Sequence, residues 1–479
     1  MIGMNVKAGF RKSSSMLLLV VVLLLTAAVG ISPVPVQAAG PASMGIITNF
    51  SVQDSANSAD WSLQYSLQTG DKQYGDQNTT WTSLKDPYYG WQWIQTAADS
   101  KSYTGSTLAS FKVLVRAQIY VAADKSKAIP SWLSDWYDTD DDITNSAGKT
   151  FRVYKKDVGA NTTVSLGSAA AGGEMYSVMV KDLSPVGWAS VNALGQNGTT
   201  GGLGGATVTA TTQAELEAYA ASTEPLVIRV QGTIQMSPWG ARIPVKSNKT
   251  ILGMGTNATL QYGGLQVTDN EKNVIIRNLT IKDSFQSWDG KLGDWDAVTV
   301  QNGAHHVWID RCTLTHMEDG LVDVVKGADY VTVSNTEFYN HNKTFAVGND
   351  DYMNRPKVTI HHNFFNGTNQ RNPRVNNSDV HLFNNYFLNL GDYGTVSHNM
   401  GQVLLEANYF KNSEDITMLG DSTSSVVYSS DNIKENCTGV NQSGGTVFNP
   451  SSSYTYVKDS ASSVPAYVLK SAGAGKIRK

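Results

Sequence analysis

The sequence predicts an all-β protein: a right-handed parallel β-helix over residues 186–479, preceded by a β-sandwich-like region over residues 39–185. Three observations carry that prediction. Six eight-residue segments with one apolar pattern recur 22 to 33 residues apart in the second half. Short strand-like runs separated by Gly, Asp, Asn and Ser clusters fill the first half, and one short helical pattern, Gln213 to Ala221, stands between the two. Charged residues are 16% of the 479, below the roughly 25% of ordinary domains, which argues against disorder, coiled coil and charge-laced helices. Two cysteines, Cys312 and Cys437, exclude a disulfide scaffold and a Cys-rich zinc module, leaving either one bridge or two free thiols. With 37 basic and 41 acidic side chains the formal charge is −4, so nothing favours a nucleic-acid partner.

Residues 1–38 read as a secretory leader. Lys7, Arg11 and Lys12 supply a positive start, Met16 to Val29 an apolar core short for a bilayer span, and Val36-Gln37-Ala38 a small-residue cleavage pattern. An uncleaved anchor is the competing reading. Cleavage leaves a secreted, soluble, mildly acidic chain with no membrane contact, in a compartment where weak carboxylate sites are filled by calcium.

In residues 39–185, the runs Phe111 to Val115, Gln118 to Val121 and Tyr176 to Val180 have the spacing of sandwich strands. Seven of the eleven tryptophans lie between Trp61 and Trp188. Trp61, Trp81, Trp91 and Trp93 either fill the sandwich core or form a flat face suited to sugar rings.

After a Gly-rich joint at Gly195 to Gly205, the repeat begins. Val274 to Ile281, Val307 to Leu314, Val331 to Phe338, Val358 to Phe365, Val380 to Phe387 and Val403 to Phe410 start 33, 24, 27, 22 and 23 residues apart. Positions one, three and eight are apolar in all six, the mark of a strand with one buried face. A unit this small owns no core and must stack on its neighbours. A leucine-rich repeat fits superficially. Val and Ile dominate over Leu, however, and each unit has a further strand before the motif (Val298 to Val300 before Val307, Leu321 to Val325 before Val331) with no room for a helix. A parallel β-helix follows, in which Asn363, Asn385 and Asn408 stack as an amide ladder.

Coils about 4.8 Å apart bring residues some 23 apart onto one face. Asp294 and Asp296 on one coil and Asp319 and Asp323 on the next then converge. Four carboxylates so close repel unless a cation neutralises them, and hard oxygen donors favour calcium. A solvated acidic edge is the competing reading. Lys343 lies one coil on, with Arg371 and Arg374 one further, so the groove suits a polymer carrying a carboxylate on each unit; surface salt bridging is again the alternative.

The segments Val307-Trp308-Ile309-Asp310, Asp319-Gly320-Leu321-Val322-Asp323, Lys343-Thr344 and Arg371-Asn372-Pro373-Arg374-Val375 resemble the signature blocks of the polysaccharide lyase family 1 pectate lyases. So do Thr199-Thr200-Gly201-Gly202 and Thr250-Ile251-Leu252-Gly253, and the resemblance spans about residues 186 to 450. The stretch Ile119 to Val180 resembles accessory β modules of secreted polysaccharide lyases. The family resemblance implies Asp296, Asp319 and Asp323 as main calcium ligands with Asp294 additional, Lys343 on the substrate carboxylate and Arg371 as base; Arg374 reads as a substrate contact or, equally, as a structural residue. It implies a monomer that splits polygalacturonate, or low-methyl pectin, by β-elimination. A guanidinium ordinarily stays protonated, so the role implies surrounding positive charge and alkaline conditions that favour the neutral form.

Two positions depart from the family. Its usual second arginine, five residues after the base, is Asn376, and its usual histidine after Trp-Ile-Asp is Arg311. All eight histidines lie between His305 and His398 and read as packing residues rather than metal ligands. Three rival functions remain: a hydrolase using Asp350-Asp351, a pectin lyase acting on methylated chains, and a non-catalytic carbohydrate-binding β-helix.

Overall fold

The computed structural model describes residues 47–64, 67–85, 88, 91–113, 117–159, 162–286, 293–348 and 354–476. The predicted leader, residues 1–38, and the pair Asp350-Asp351 lie outside the described residues. None of the described helices is long and apolar enough to cross a membrane.

The first region is built from antiparallel strands in two sheets. One has three strands, in the order Ile47–Val52, Ala109–Val113, Thr163–Leu166. The other has seven, in the order Ser62–Gln64, Gln92–Gln95, Ser177–Asp182, Ala117–Asp124, Thr150–Val158, Tyr137–Asn145, Trp81–Ser83. Period-two alternation splits the seven-stranded sheet between two cores. Ile119, Val121, Val178 and Val180 pack towards Phe111, Val113 and Leu166 of the small sheet, while Tyr120, Ala122 and Met179 pack with Trp81, Trp93 and Phe151 on the other face. Trp61, Trp81 and Trp93 are buried, so they are core rings and offer no face to a sugar. Trp91 is half-buried, with its ring centroid 4.9 Å from that of Tyr120.

From Ala206 the chain winds into a parallel β-helix of about ten turns. Its three parallel sheets have ten, nine and eight strands. The helix Gln213–Ala220 covers the entry turn; Thr212 caps it in a capping box with Glu215. The eight-residue motif proves to be two strands rather than one. Positions one to four form a strand of the ten-stranded sheet, and positions seven and eight start a strand of the nine-stranded sheet, as in His305–Asp310 and Thr313–Thr315. Position five is the corner: Asn278, Arg311, Asn335, His362, Asn384 and Ala407 all have φ between 47° and 58°. Asn tolerates this left-handed conformation best among side-chain residues, which explains its frequency there.

Ladders hold the turns together. The predicted amide ladder is present and one step longer: the Asn363 amide donates to Asn385 at 3.0 Å, Asn385 to Asn408 at 2.9 Å and Asn408 to Asn432 at 3.0 Å. Position eight builds an interior stack, Phe338, Phe365, Phe387 and Phe410, with centroids 4.7, 4.5 and 4.5 Å apart. Both cysteines are free, and burial pushes the Cys312 thiol up to about 12. His305, His306, His361 and His381 are buried, and burial lowers the pKa of each, in keeping with packing roles. Arg311, where the family carries histidine, donates to buried Asp310 at 2.9 Å beside Arg277 at 2.7 Å. A C-terminal helix, Val464–Ser471, which the sequence pattern did not announce, packs Val464 and Val468 on Phe364 and Tyr386.

Candidate active site

The eight-stranded sheet positions the candidate residues. Its strands run Ala241–Pro244, Gly263–Val267, Val298–Val300, Gly320–Val324, Lys343–Val347, Arg374–Asn376, Thr395–His398 and Thr417–Leu419. The chain reaches each strand through a loop, and the candidates lie at or near those loop-to-strand corners. Asp296 lies two residues before its strand, Asp319 one before, Lys343 first in its strand and Arg371 three before. Asp323 lies within its strand, in one column with Thr299, Ala346 and Arg374. Two strand steps of about 4.8 Å place the Asp323 and Arg374 backbones about 10 Å apart. Gly320 pairs with Lys343, and Lys343 bridges to Gln370 beside Arg371. The sheet thus gathers Asp296, Asp319, Asp323, Lys343, Arg371 and Arg374 along one edge over four consecutive strands. Asp294 and Asp296 sit on irregular chain rather than a strand; Asp294 is exposed and Asp296 buried.

Specific contacts fix the acids. Asp296 is 3% exposed and accepts from the Thr299 hydroxyl at 2.8 Å and the Gly320 amide at 2.8 Å. Burial and the neighbouring Asp319 push its pKa up, against those two donors and Arg242. Asp319 accepts from the Lys343 ammonium at 2.8 Å, and its backbone carbonyl accepts from His341 Nε2 at 2.7 Å. Burial lowers His341 to about 4, so the ring is neutral and anchors the backbone through its Nε2–H. Arg371 has φ 59°, a strained conformation for a side-chain residue. Its carbonyl accepts from the Phe345 amide at 2.9 Å, and the charges of Arg371 and Arg374 oppose the rise that burial imposes on the Tyr393 pKa.

The donor set fits a hard divalent cation. A Cβ on Gly320 would lie 2.4 Å from Asp323 Oδ1 and 3.1 Å from Asp296 Oδ1. Glycine there keeps open a cradle walled by carboxylates from two coils. A buried carboxylate whose pKa is raised is one that a cation restores to its charged form. Among the described residues, no three acid, His or Cys side chains close around a metal by themselves; calcium takes six to eight oxygens, so water or a ligand's carboxylate would complete the shell.

Sequence reasoning missed Arg242, His341 and Tyr393. Arg242 lies 54 residues before Asp296, two coils away, and reaches to 3.9 Å from its Oδ2. The signal was the Gly263-Gly264 pair, which leaves the start of the intervening strand without side chains; Arg242 pairs with Gly264.

The pectate lyase family profile matches residues 165–477. A pectate trisaccharide-lyase of Thermotoga sp. (strain RQ2) is 36% identical over 335 residues, covering 61% of this chain and 89% of that protein. Pectate lyase A of Dickeya chrysanthemi is 29% identical over 320 residues, covering 56% and 81%. Among solved structures, a Bacillus pectate lyase in complex with trigalacturonate is 33% identical with a TM-score of 0.50, covering 61% of this chain and 99% of that one. With a match over more than half its length and a parallel β-helix, the chain belongs to the pectate lyase family of polysaccharide lyases.

Proposed function

We propose that the chain is a secreted, calcium-dependent pectate lyase acting on polygalacturonate, with residues 39–185 as an accessory module. The observation that carries this reading is the Lys343–Asp319 pair at 2.8 Å, with Asp296 and Asp323 on one side and Arg371 and Arg374 on the other. That order sets what a cation needs beside what a polyuronate needs.

Asp296, Asp319 and Asp323, with Asp294 at the exposed margin, would hold calcium. Bound calcium supplies Lewis-acid stabilisation of the negative charge that develops on the sugar carboxylate. Lys343, on exchanging Asp319 for that carboxylate, adds its own positive charge there. Arg374 fixes a neighbouring carboxylate and so orients the chain. Arg371, in its neutral form, takes the C5 proton; the C5–H electron pair forms the C4–C5 double bond as the C4–O bond breaks. The departing oxygen takes up a proton from solvent, and no water is consumed.

The test follows ultraviolet absorbance of the unsaturated product on pectate and on methylated pectin, before and after chelation. Absorbance growth on pectate that stops with chelator and returns with calcium is expected. Activity that survives complete calcium removal overturns the metal assignment, preference for methylated pectin overturns the substrate, and chain cleavage without absorbance indicates hydrolysis.

A further inference from the structure

The same edge of the eight-stranded sheet continues past the acids in the other direction. Trp239 lies two residues before the strand Ala241–Pro244 and Tyr262 one residue before Gly263–Val267. These corners correspond to those of Asp296 and Asp319 on the next two strands. The Trp239 and Tyr262 rings stack with centroids 4.0 Å apart and planes 20° from parallel. Trp239 remains 37% exposed, and its indole N–H donates to the Ser284 carbonyl at 2.8 Å, which fixes the ring plane. Trp295 packs where a Cβ of residue 240 would stand, 2.3 Å from its ring, so Gly240 admits a third aromatic at this corner. Arg242, on the strand that Trp239 leads into, is 28% exposed and lies 3.9 Å from Asp296. At that distance the two form an ion pair without a hydrogen bond, so the guanidinium donors can still engage another carboxylate.

We infer that Trp239 and Tyr262, with Arg242, form an outer subsite of the groove that takes one further uronate unit of the polymer. The outer face of Trp239, backed by Tyr262, covers the apolar face of the pyranose, and the guanidinium pairs with that unit's carboxylate, the group for which its planar donor fork is suited. A neutral or esterified sugar would meet the rings and leave the guanidinium unmatched, so the subsite selects free acid. Three strand steps, about 14 Å, separate the Trp239 corner from that of Asp319. The subsite therefore serves only chains long enough to reach it, and it makes binding dependent on chain length. This inference rests on the proposed polyuronate substrate.

Calorimetric binding of a trigalacturonate and an octagalacturonate tests it, with the full chain in calcium and carrying Arg371→Ala so that the oligomers are not cleaved. That background alone and with Trp239→Ala, Trp239→Phe or Arg242→Gln is compared after each is shown to melt like wild type. Trp239→Ala is expected to weaken octamer binding roughly tenfold and the trimer less, with Trp239→Phe recovering most of the loss. Arg242→Gln should weaken the free-acid octamer more than its methyl ester. Octamer binding unchanged in Trp239→Ala, or equal losses for trimer and octamer, overturns the inference. Because binding is read without turnover, a chain that binds here but, with Arg371 restored, releases no unsaturated product contradicts the lyase reading alone.

Discussion

Replacing Gly320 by alanine probes the candidate cation site through one methyl group. The new Cβ would stand 2.4 Å from Asp323 Oδ1, 3.3 Å from its Cγ and 3.1 Å from Asp296 Oδ1. Carbon–oxygen contact needs well over 3 Å, so the Asp323 carboxylate must retreat by about 1 Å. The clashing atom ends a side chain, so the side chain can yield and the fold persists. Calcium–oxygen distances span only about 2.3–2.6 Å, so a displacement of that size removes a ligand or reshapes the shell. Overpacking of this kind costs about 1–3 kcal/mol, equivalent to a roughly 5- to 150-fold loss in calcium affinity. The assay is the elimination rate as a function of free calcium, with direct calcium calorimetry and a melting curve beside it. Gly320→Ala with the wild-type calcium demand and rate would show that the acids flanking Gly320 are not the cation ligands.

Further outcomes follow from the same contacts. Lys343→Met removes the ammonium 2.8 Å from Asp319 while keeping most of the stem; the elimination rate should fall by at least about tenfold with the melting temperature little changed, since the group is partly exposed. Asn385→Ala strips four ladder hydrogen bonds, with Asn363 N and Nδ2, Ile360 O and Asn408 Oδ1. At about 1–1.5 kcal/mol each it should destabilise the chain by about 4–6 kcal/mol in denaturant unfolding, whereas a loss below 1 kcal/mol would show the ladder to be dispensable. Glu406 accepts from Tyr456 at 2.6 Å and Lys458 at 2.8 Å and pairs with His381 at 3.0 Å. Burial acts to raise its pKa, but these partners override it and hold the carboxyl at about 2, against an ordinary 4.5. A depressed acid contributes stability above its unfolded value and loses it as pH falls through the folded one. About 3 kcal/mol should therefore be lost between pH 4.5 and 2, read as rising hydrogen exchange in the segment around Tyr456 and Lys458; in Glu406→Gln that pH dependence should shrink.

Much of the architecture was legible because stacking imposes a period. Val at position one and an apolar residue at position eight recur so regularly that the winding, the amide ladder through Asn363, Asn385 and Asn408, and the convergence of Asp296 with Lys343 all follow from counting. What periodicity could not show was the corner inside the motif. A left-handed residue is visible where it is Asn278 or Asn384, but Arg311 and Ala407 carry no such mark. Arg242 escaped for another reason: it acts across a coil that contributes only glycines at that corner, and a search for neighbours one period apart stops at that coil. The front tryptophans were ambiguous because composition does not say which face of a strand a ring occupies; pairing in the seven-stranded sheet turns Trp93 inward. The helix Val464–Ser471 belongs to no repeat, and it is placed by the apolar surface of Phe364 and Tyr386.

The most direct measurement is a crystal structure of Arg371→Ala soaked with calcium and an oligogalacturonate, with the metal located by its anomalous signal. Calcium bound among Asp296, Asp319 and Asp323, bridging to a sugar carboxylate that also meets Lys343, is the predicted result. Calcium and sugar bound on a different face of the β-helix, with Lys343 still paired to Asp319, would contradict it.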